Sequence, residues 1–94
     1  MDNEELTLIL SERRLDADAA PRLEAELKRN LDGVKRLTVD MSAVIYISSA
    51  GLRALLSAQH TMGEGSSVTL RNVCGDVMHT LEITGFAEIF TVQQ

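Results

Sequence analysis

Val39-Asp40-Met41-Ser42-Ala43-Val44-Ile45-Tyr46-Ile47-Ser48-Ser49-Ala50-Gly51-Leu52 carries a strand, a short apolar connection and the start of a helix in fourteen residues. It enters from a strand, Arg36 to Asp40, with Leu37 and Val39 on one face. Met41-Ser42-Ala43 is a short link, and Val44 to Ile47 is apolar and β-branched. Ser48-Ser49-Ala50-Gly51 then leads into a helix that runs through about Met62. Leu52, Leu55, Leu56 and Met62 fall on one arc of it, and Arg53, Ser57, His60 and Thr61 on the opposite one. Gln59 interrupts the apolar arc.

Outward from this segment the same alternation of strand and helix continues. On the N-terminal side, Leu6, Leu8 and Leu10 alternate with their neighbours from Glu5 to Leu10, which is strand periodicity. After Arg14-Leu15-Asp16 a helix is predicted, capped by Asp16 or Asp18 and tolerating Pro21 in its first turn. Leu23, Leu27 and Leu31 make its apolar ridge, and Gly33 stops it. On the C-terminal side, Gly63-Glu64-Gly65 ends the central helix and Val68-Thr69-Leu70 is a strand. Asp76 starts a third helix with Val77, Met78 and Leu81 inward and Gly85 as its stop. Phe86 and Ile89 to Val92 finish as a short strand. This order predicts an α/β fold: a mixed sheet of at least four strands, much of it parallel, flanked by three or more helices. Leu23, Leu27, Leu52, Leu55 and Leu81 are expected in its core.

The 94 residues suit one domain, taken as 1–94. An apolar content of 45% with only 24% charged residues argues against disorder. The formal charge is −5, and the basic residues come as scattered pairs without interleaved aromatics, so no nucleic-acid partner is expected. The acidic balance disfavours anionic membranes, and no apolar run approaches the ~20 residues that span a bilayer. Asp2, Glu4 and Glu5 are the opposite of a secretory leader, which makes a cytoplasmic location the expectation. Cys74 is the sole cysteine, and no metal or other cofactor is implied by the spacing of Cys, His and carboxylates.

Catalytic constellations are missing as well. Ser48-Ser49-Ala50-Gly51 is not a nucleophile elbow, and His60 would lie roughly 16 Å along the helix from Ser49. The expectation is therefore a binding protein and not an enzyme. Ser49 occupies or adjoins the N-cap of the central helix, where a serine oxygen ordinarily accepts a first-turn amide proton. The same unpaired amides and the positive end of the helix dipole also suit an anion. A phosphorylated serine would bring about −1.5 to −2 charges to that position, with Arg53 one turn further on.

The segment from Val39 to Leu52 resembles the STAS domain of bacterial anti-sigma-factor antagonists. That family typically reads Asp-Leu-Ser, a few residues, an aromatic and an apolar residue, then Asp-Ser-Ser/Thr/Ala-Gly-Leu. Leu15-Asp16 before the first helix, Leu81 through Gly85-Phe86, and the overall length agree with it too. The resemblance implies the STAS fold and places the regulatory phosphorylation site at Ser49, two residues before Gly51-Leu52. It implies an anti-sigma factor with serine protein kinase activity as partner, which binds the unmodified antagonist, phosphorylates it and releases it. A phosphatase reverses the mark. The binding surface implied is Ser48, Ser49, Ala50 and Gly51 with Arg53, Ser57 and His60 on the outer face of the following helix.

Two positions depart from the family pattern. Ser48 stands where Asp is common, which leaves it as a competing phosphate acceptor, and Arg13 stands where Gly is usual. STAS modules also serve as accessory subunits on the ATPase of bacterial lipid-transport ABC systems, without phosphorylation. That is the alternative expectation.

Overall fold

A computed structural model of the protein describes residues 4–94. Asp2, one of the acidic residues used above, lies outside them. The chain runs β1 (Glu5–Ile9), β2 (Arg14–Leu15), α1 (Ala20–Asn30), β3 (Arg36–Asp40), β4 (Tyr46–Ile47), α2 (Ser49–Met62), β5 (Ser67–Arg71), α3 (Gly75–Thr84), a 3-10 turn (Phe86–Glu88) and β6 (Thr91–Val92). Four strands form one sheet in the order β1-β3-β5-β6, and β2 pairs with β4 in a separate two-stranded ribbon. The α/β architecture of a four-stranded sheet with three helices is as expected. The antiparallel member of a mixed sheet is not among the described pairings, all of which are parallel. The reason is local: each connection between neighbouring sheet strands carries a helix, and no tight hairpin supplies an antiparallel neighbour.

Because the strands stand in chain order across the sheet, right-handed crossovers bring the helices to one face. Burial follows that geometry. Leu37, Val39, Val68 and Leu70 are buried, with Leu6, Leu8 and Val92 packed at the sheet edges. Residues one step out of phase, Thr7, Thr38, Thr69 and Thr91, lie in register across the other face and are exposed or half-buried. A parallel sheet is usually covered on both sides; here threonine hydroxyls make the uncovered side compatible with water.

The predicted ridges are those that fill the core. Leu23 and Leu27 of α1, Leu52 and Leu55 of α2, and Leu81 of α3 are all buried. α1 and α2 pack side by side, while α3 touches β4 and the 3-10 turn. Gly85 takes a left-handed conformation (φ 82°) and ends α3, a role that other residues fill only with strain. Asp16 does not cap α1. Its Oδ1 accepts from the amides of Asp18 and Ala19, both at 3.1 Å, and so caps the turn that feeds the helix; Ala19 occupies the N-cap. Those amides lower its pKa, with a smaller contribution from Arg14.

Candidate functional site

The segment between β3 and α2 is fixed at both ends and along its length. At its start, Asp40 is buried at the end of β3 and accepts from the Ser42 amide at 2.9 Å. Its second oxygen accepts from Arg71 and Asn72, each at 3.3 Å, at the end of β5. The Ser42 amide and hydroxyl, then Asn72 and Arg71, stabilise the carboxylate and hold its pKa down to about 2, against an ordinary 3.8. A depressed carboxyl pKa contributes stability above the unfolded value and loses it as pH falls through the folded one. The contribution from Asp40 is thus expected to vanish between about pH 4 and pH 2. In Asp40→Asn, acid titration followed by circular dichroism is expected to show lower stability at neutral pH and a flatter profile across that window. An unchanged profile would mean that Asp40 does not anchor the loop.

Beyond Asp40, the Met41 amide donates to Arg71 O at 2.8 Å and the Val44 amide to Met41 O at 2.9 Å, closing a turn. Cys74 Sγ donates to Val44 O at 3.5 Å. Ile45 N donates to Arg13 O at 2.8 Å, and the ribbon aligns Arg14 with Tyr46 and Leu15 with Ile47. Sequence periodicity did not show this ribbon, because two residues per strand are too few to display it. Arg14 lies over the Tyr46 ring, 4.3 Å from its centroid, while Asp16 holds the guanidinium at 3.6 Å. Ile45 and Tyr46 are exposed apolar side chains just before Ser48, and sequence reasoning did not assign them to the site. Their signal was present as two large apolar residues in a short connection.

At the end of the segment, Ser48 is the N-cap of α2. Its backbone is extended (φ −99°, ψ 175°), its amide donates to Leu15 O at 3.0 Å, and its Oγ accepts from Gly51 N at 3.4 Å. Ser49 is the first helical residue, not the cap, and is exposed where Ser48 is half-buried. The two hydroxyls therefore differ: Ser48 faces the helix amides, and Ser49 faces solvent. Gly51 is buried against the ribbon. A Cβ there would stand 2.4 Å from Leu15 O and 2.9 Å from Ile47 Cγ1 and Leu15 Cγ. Only glycine lets the first turn of α2 sit this close.

From Ser49, one helical face runs outward through Arg53 to His60, both exposed, with Ser57 half-buried beside it. Ala50 is half-buried. Gln59 is half-buried, and its Oε1 has no hydrogen-bond partner among the described residues. Neither His60 nor His79 is hydrogen-bonded to Ser48 or Ser49 among the described residues. No group of His, Cys, Asp and Glu among the described residues could hold a metal ion. No described helix is long and apolar enough to cross a membrane. The arrangement presents a hydroxyl, a cation and apolar side chains on a fixed surface, which is the chemistry of docking.

A family profile described as "Mlab, STAS domain" matches residues 1–92. The chain belongs to the STAS domain family. This STAS domain is 40% identical over 75 residues to BtrV of Bordetella bronchiseptica, assigned as an anti-sigma factor antagonist. The match covers 78% of the chain and 65% of BtrV, so the chain spans about two thirds of that relative's length. Among solved structures, an anti-sigma factor antagonist from Mycobacterium paratuberculosis superposes with a TM-score of 0.83 at 22% identity, over 97% of this chain and 78% of that one. A sulfate transporter family protein from Wolinella succinogenes gives 0.80 at 21% identity, over 97% and 77%. The same fold thus occurs in an anti-sigma factor antagonist and in a sulfate transporter family protein. Antagonists of this family are regulatory and not catalytic.

Proposed function

We propose that this STAS domain is an anti-sigma-factor antagonist that works by partner switching. Ser49 is the phosphate acceptor, and the docking surface comprises Ser48, Ser49, Ala50 and Gly51, the α2 face of Arg53, Ser57 and His60, and the neighbouring Ile45 and Tyr46. The partner is an anti-sigma factor with serine protein kinase activity; a phosphatase resets the switch.

The observation that carries this reading is the division of labour between the two serines. Ser48 gives its oxygen to the helix cap and its amide to Leu15, whereas Ser49 is exposed on the first turn. A kinase needs a hydroxyl that it can surround, and Ser49 meets that requirement without unmaking a cap. The similarity to BtrV supports the same reading. The test is incubation with the cognate kinase and Mg-ATP, followed by phosphopeptide mass spectrometry. Label on Ser49 is the expected result, and label on Ser48 alone would overturn the assignment.

The Mlab description of the family profile favours one further reading, docking on the ATPase of a lipid-transport ABC system without phosphorylation. Pull-down from native lysate separates the two, since an ABC ATPase in place of a kinase would establish the transport role.

A further inference from the structure

We propose that, on the reading of Ser49 as the phosphate acceptor, its phosphate is held by Arg53 of the same helix. One modification then both adds negative charge to the docking face and withdraws a cation from it. Arg53 is singled out by what surrounds it. α2 carries no aspartate or glutamate, and Arg53 is its sole lysine or arginine. The first turn lacks an acidic residue although the helix dipole favours one there. Elsewhere this acid-rich chain brings arginines to carboxylates: Arg14 to Asp16 at 3.6 Å, Arg22 to Glu12 at 3.1 Å, Arg36 to Glu5 at 3.0 Å and Arg71 to Asp40 at 3.3 Å. Arg53 is exposed and has no ion pair among the described residues. Along the chain its nearest carboxylates are out of play. Asp40 is buried and engaged by Arg71 and Asn72, and Glu64 lies beyond the far end of α2, roughly 16 Å away by helical rise.

The spacing completes the pair. Ser49 and Arg53 stand four residues apart on one exposed helix face, where Cβ atoms lie about 5–6 Å from each other. An anion N-terminal to a cation is the better of the two orders at this spacing. A guanidinium meets a phosphate through two parallel N–H···O bonds, and the two side chains together have the length to close the gap. Ser48 has no such match. Gly51 and Leu52 stand three and four residues on from it, and its oxygen already accepts from Gly51 N at 3.4 Å. Arg14 on the ribbon is no rival, being stacked on Tyr46 and paired with Asp16. An aspartate at residue 49 is one bond shorter than phosphoserine and carries a single charge against about −1.5 to −2, so it draws on Arg53 less.

The two forms of the face then differ at two residues and not at one. Unmodified, it offers a neutral hydroxyl beside an unpaired cation. Phosphorylated, it offers an internal ion pair with residual negative charge, and Arg53 is no longer open to a carboxylate of the partner.

Phosphoserine installed at residue 49 during translation tests the pair without a kinase, so the result does not depend on whether any kinase labels Ser49. The phosphorus-31 resonance is followed from about pH 4 to pH 8, across the second ionisation of the phosphate. Its midpoint is expected about half a unit lower with Arg53 present than in Arg53→Gln, because a nearby cation favours the dianion. Arg53→Lys should recover part of that difference, since it keeps the charge and loses the planar fork. Histidine titrates in the same window, so the comparison is repeated in His60→Gln, and again in Arg13→Gln; the difference should persist in both. Phosphoserine installed at residue 48 should show no dependence on Arg53. Equal midpoints with and without Arg53 would overturn the proposal, as would an equal dependence from residue 48.

Discussion

Ser49→Asp is expected to fold like the wild type and to bind the proposed anti-sigma partner at least about thirtyfold more weakly, the equivalent of about 2 kcal/mol. The two effects have different origins. Within the folded chain, an acidic group on the first turn of α2 lies at the positive end of the helix dipole, and such placement is worth about 0.3–1 kcal/mol in the stabilising direction. The thermal midpoint should therefore stay level or rise slightly. At an interface shaped for a neutral hydroxyl, the same charge must shed its water without acquiring a partner. Leaving a buried charge unpaired in this way costs about 2–5 kcal/mol. Ser49→Ala removes only an exposed hydroxyl and should bind within about tenfold of wild type while resisting phosphorylation. Titration calorimetry with the purified partner checks all three proteins. Equal affinity for the Asp and Ala variants would remove Ser49 from the interface.

Gly51→Ala carries the largest expected effect on stability. Two opposing terms bear on it. Alanine is the better helix former by about 1 kcal/mol in a helix interior, which alone would stabilise the protein. Against this stands a methyl group 2.4 Å from Leu15 O, a backbone atom that already accepts from Ser48 N and cannot swing aside. Ile47 Cγ1 and Leu15 Cγ close the other directions at 2.9 Å. Relieving the overlap means parting α2 from the ribbon, and overpacking of this kind costs about 1–3 kcal/mol or more. The steric term wins. A fall in thermal midpoint of roughly 5–15 °C follows for a domain of this size. Scanning calorimetry of the variant would show it, and a midpoint at or above wild type would mean that the first turn of α2 is not seated on Leu15.

The sequence was most legible where burial imposes a period. Leu23 and Leu27, Leu52 and Leu55, and Leu37 and Val39 sit where their spacing put them, because each ridge must meet the core and only one phase does so. A strand packed on one face and open on the other shows in the alternation of Leu6, Leu8 and Leu10. What escaped was short or reciprocal. β2 and β4 are two residues each, and their pairing depends on a connection some thirty residues long. Arg14 over Tyr46 is a contact between those strands and could not be read without them. The choice between Ser48 and Ser49 as cap turned on a backbone angle, since either serine satisfies the compositional preference for that position. Asp40 as an anchor had a local signal in Asp-Met-Ser, the pattern of a side chain accepting an amide two residues on. Its second set of partners, Arg71 and Asn72, came only with the sheet.

The fastening of residues 40–48 has a consequence for timing. Successive tethers at Asp40, Met41, Val44, Ile45 and Ser48 leave the start of α2 with little room for a second arrangement. A phosphate on Ser49 would then alter what a partner meets electrostatically without asking the backbone to relax. Such a switch has no slow isomerisation between its settings. Its memory would reside in a covalent bond, lasting as long as that ester persists, and response to a signal would be paced by the enzymes that write and erase it.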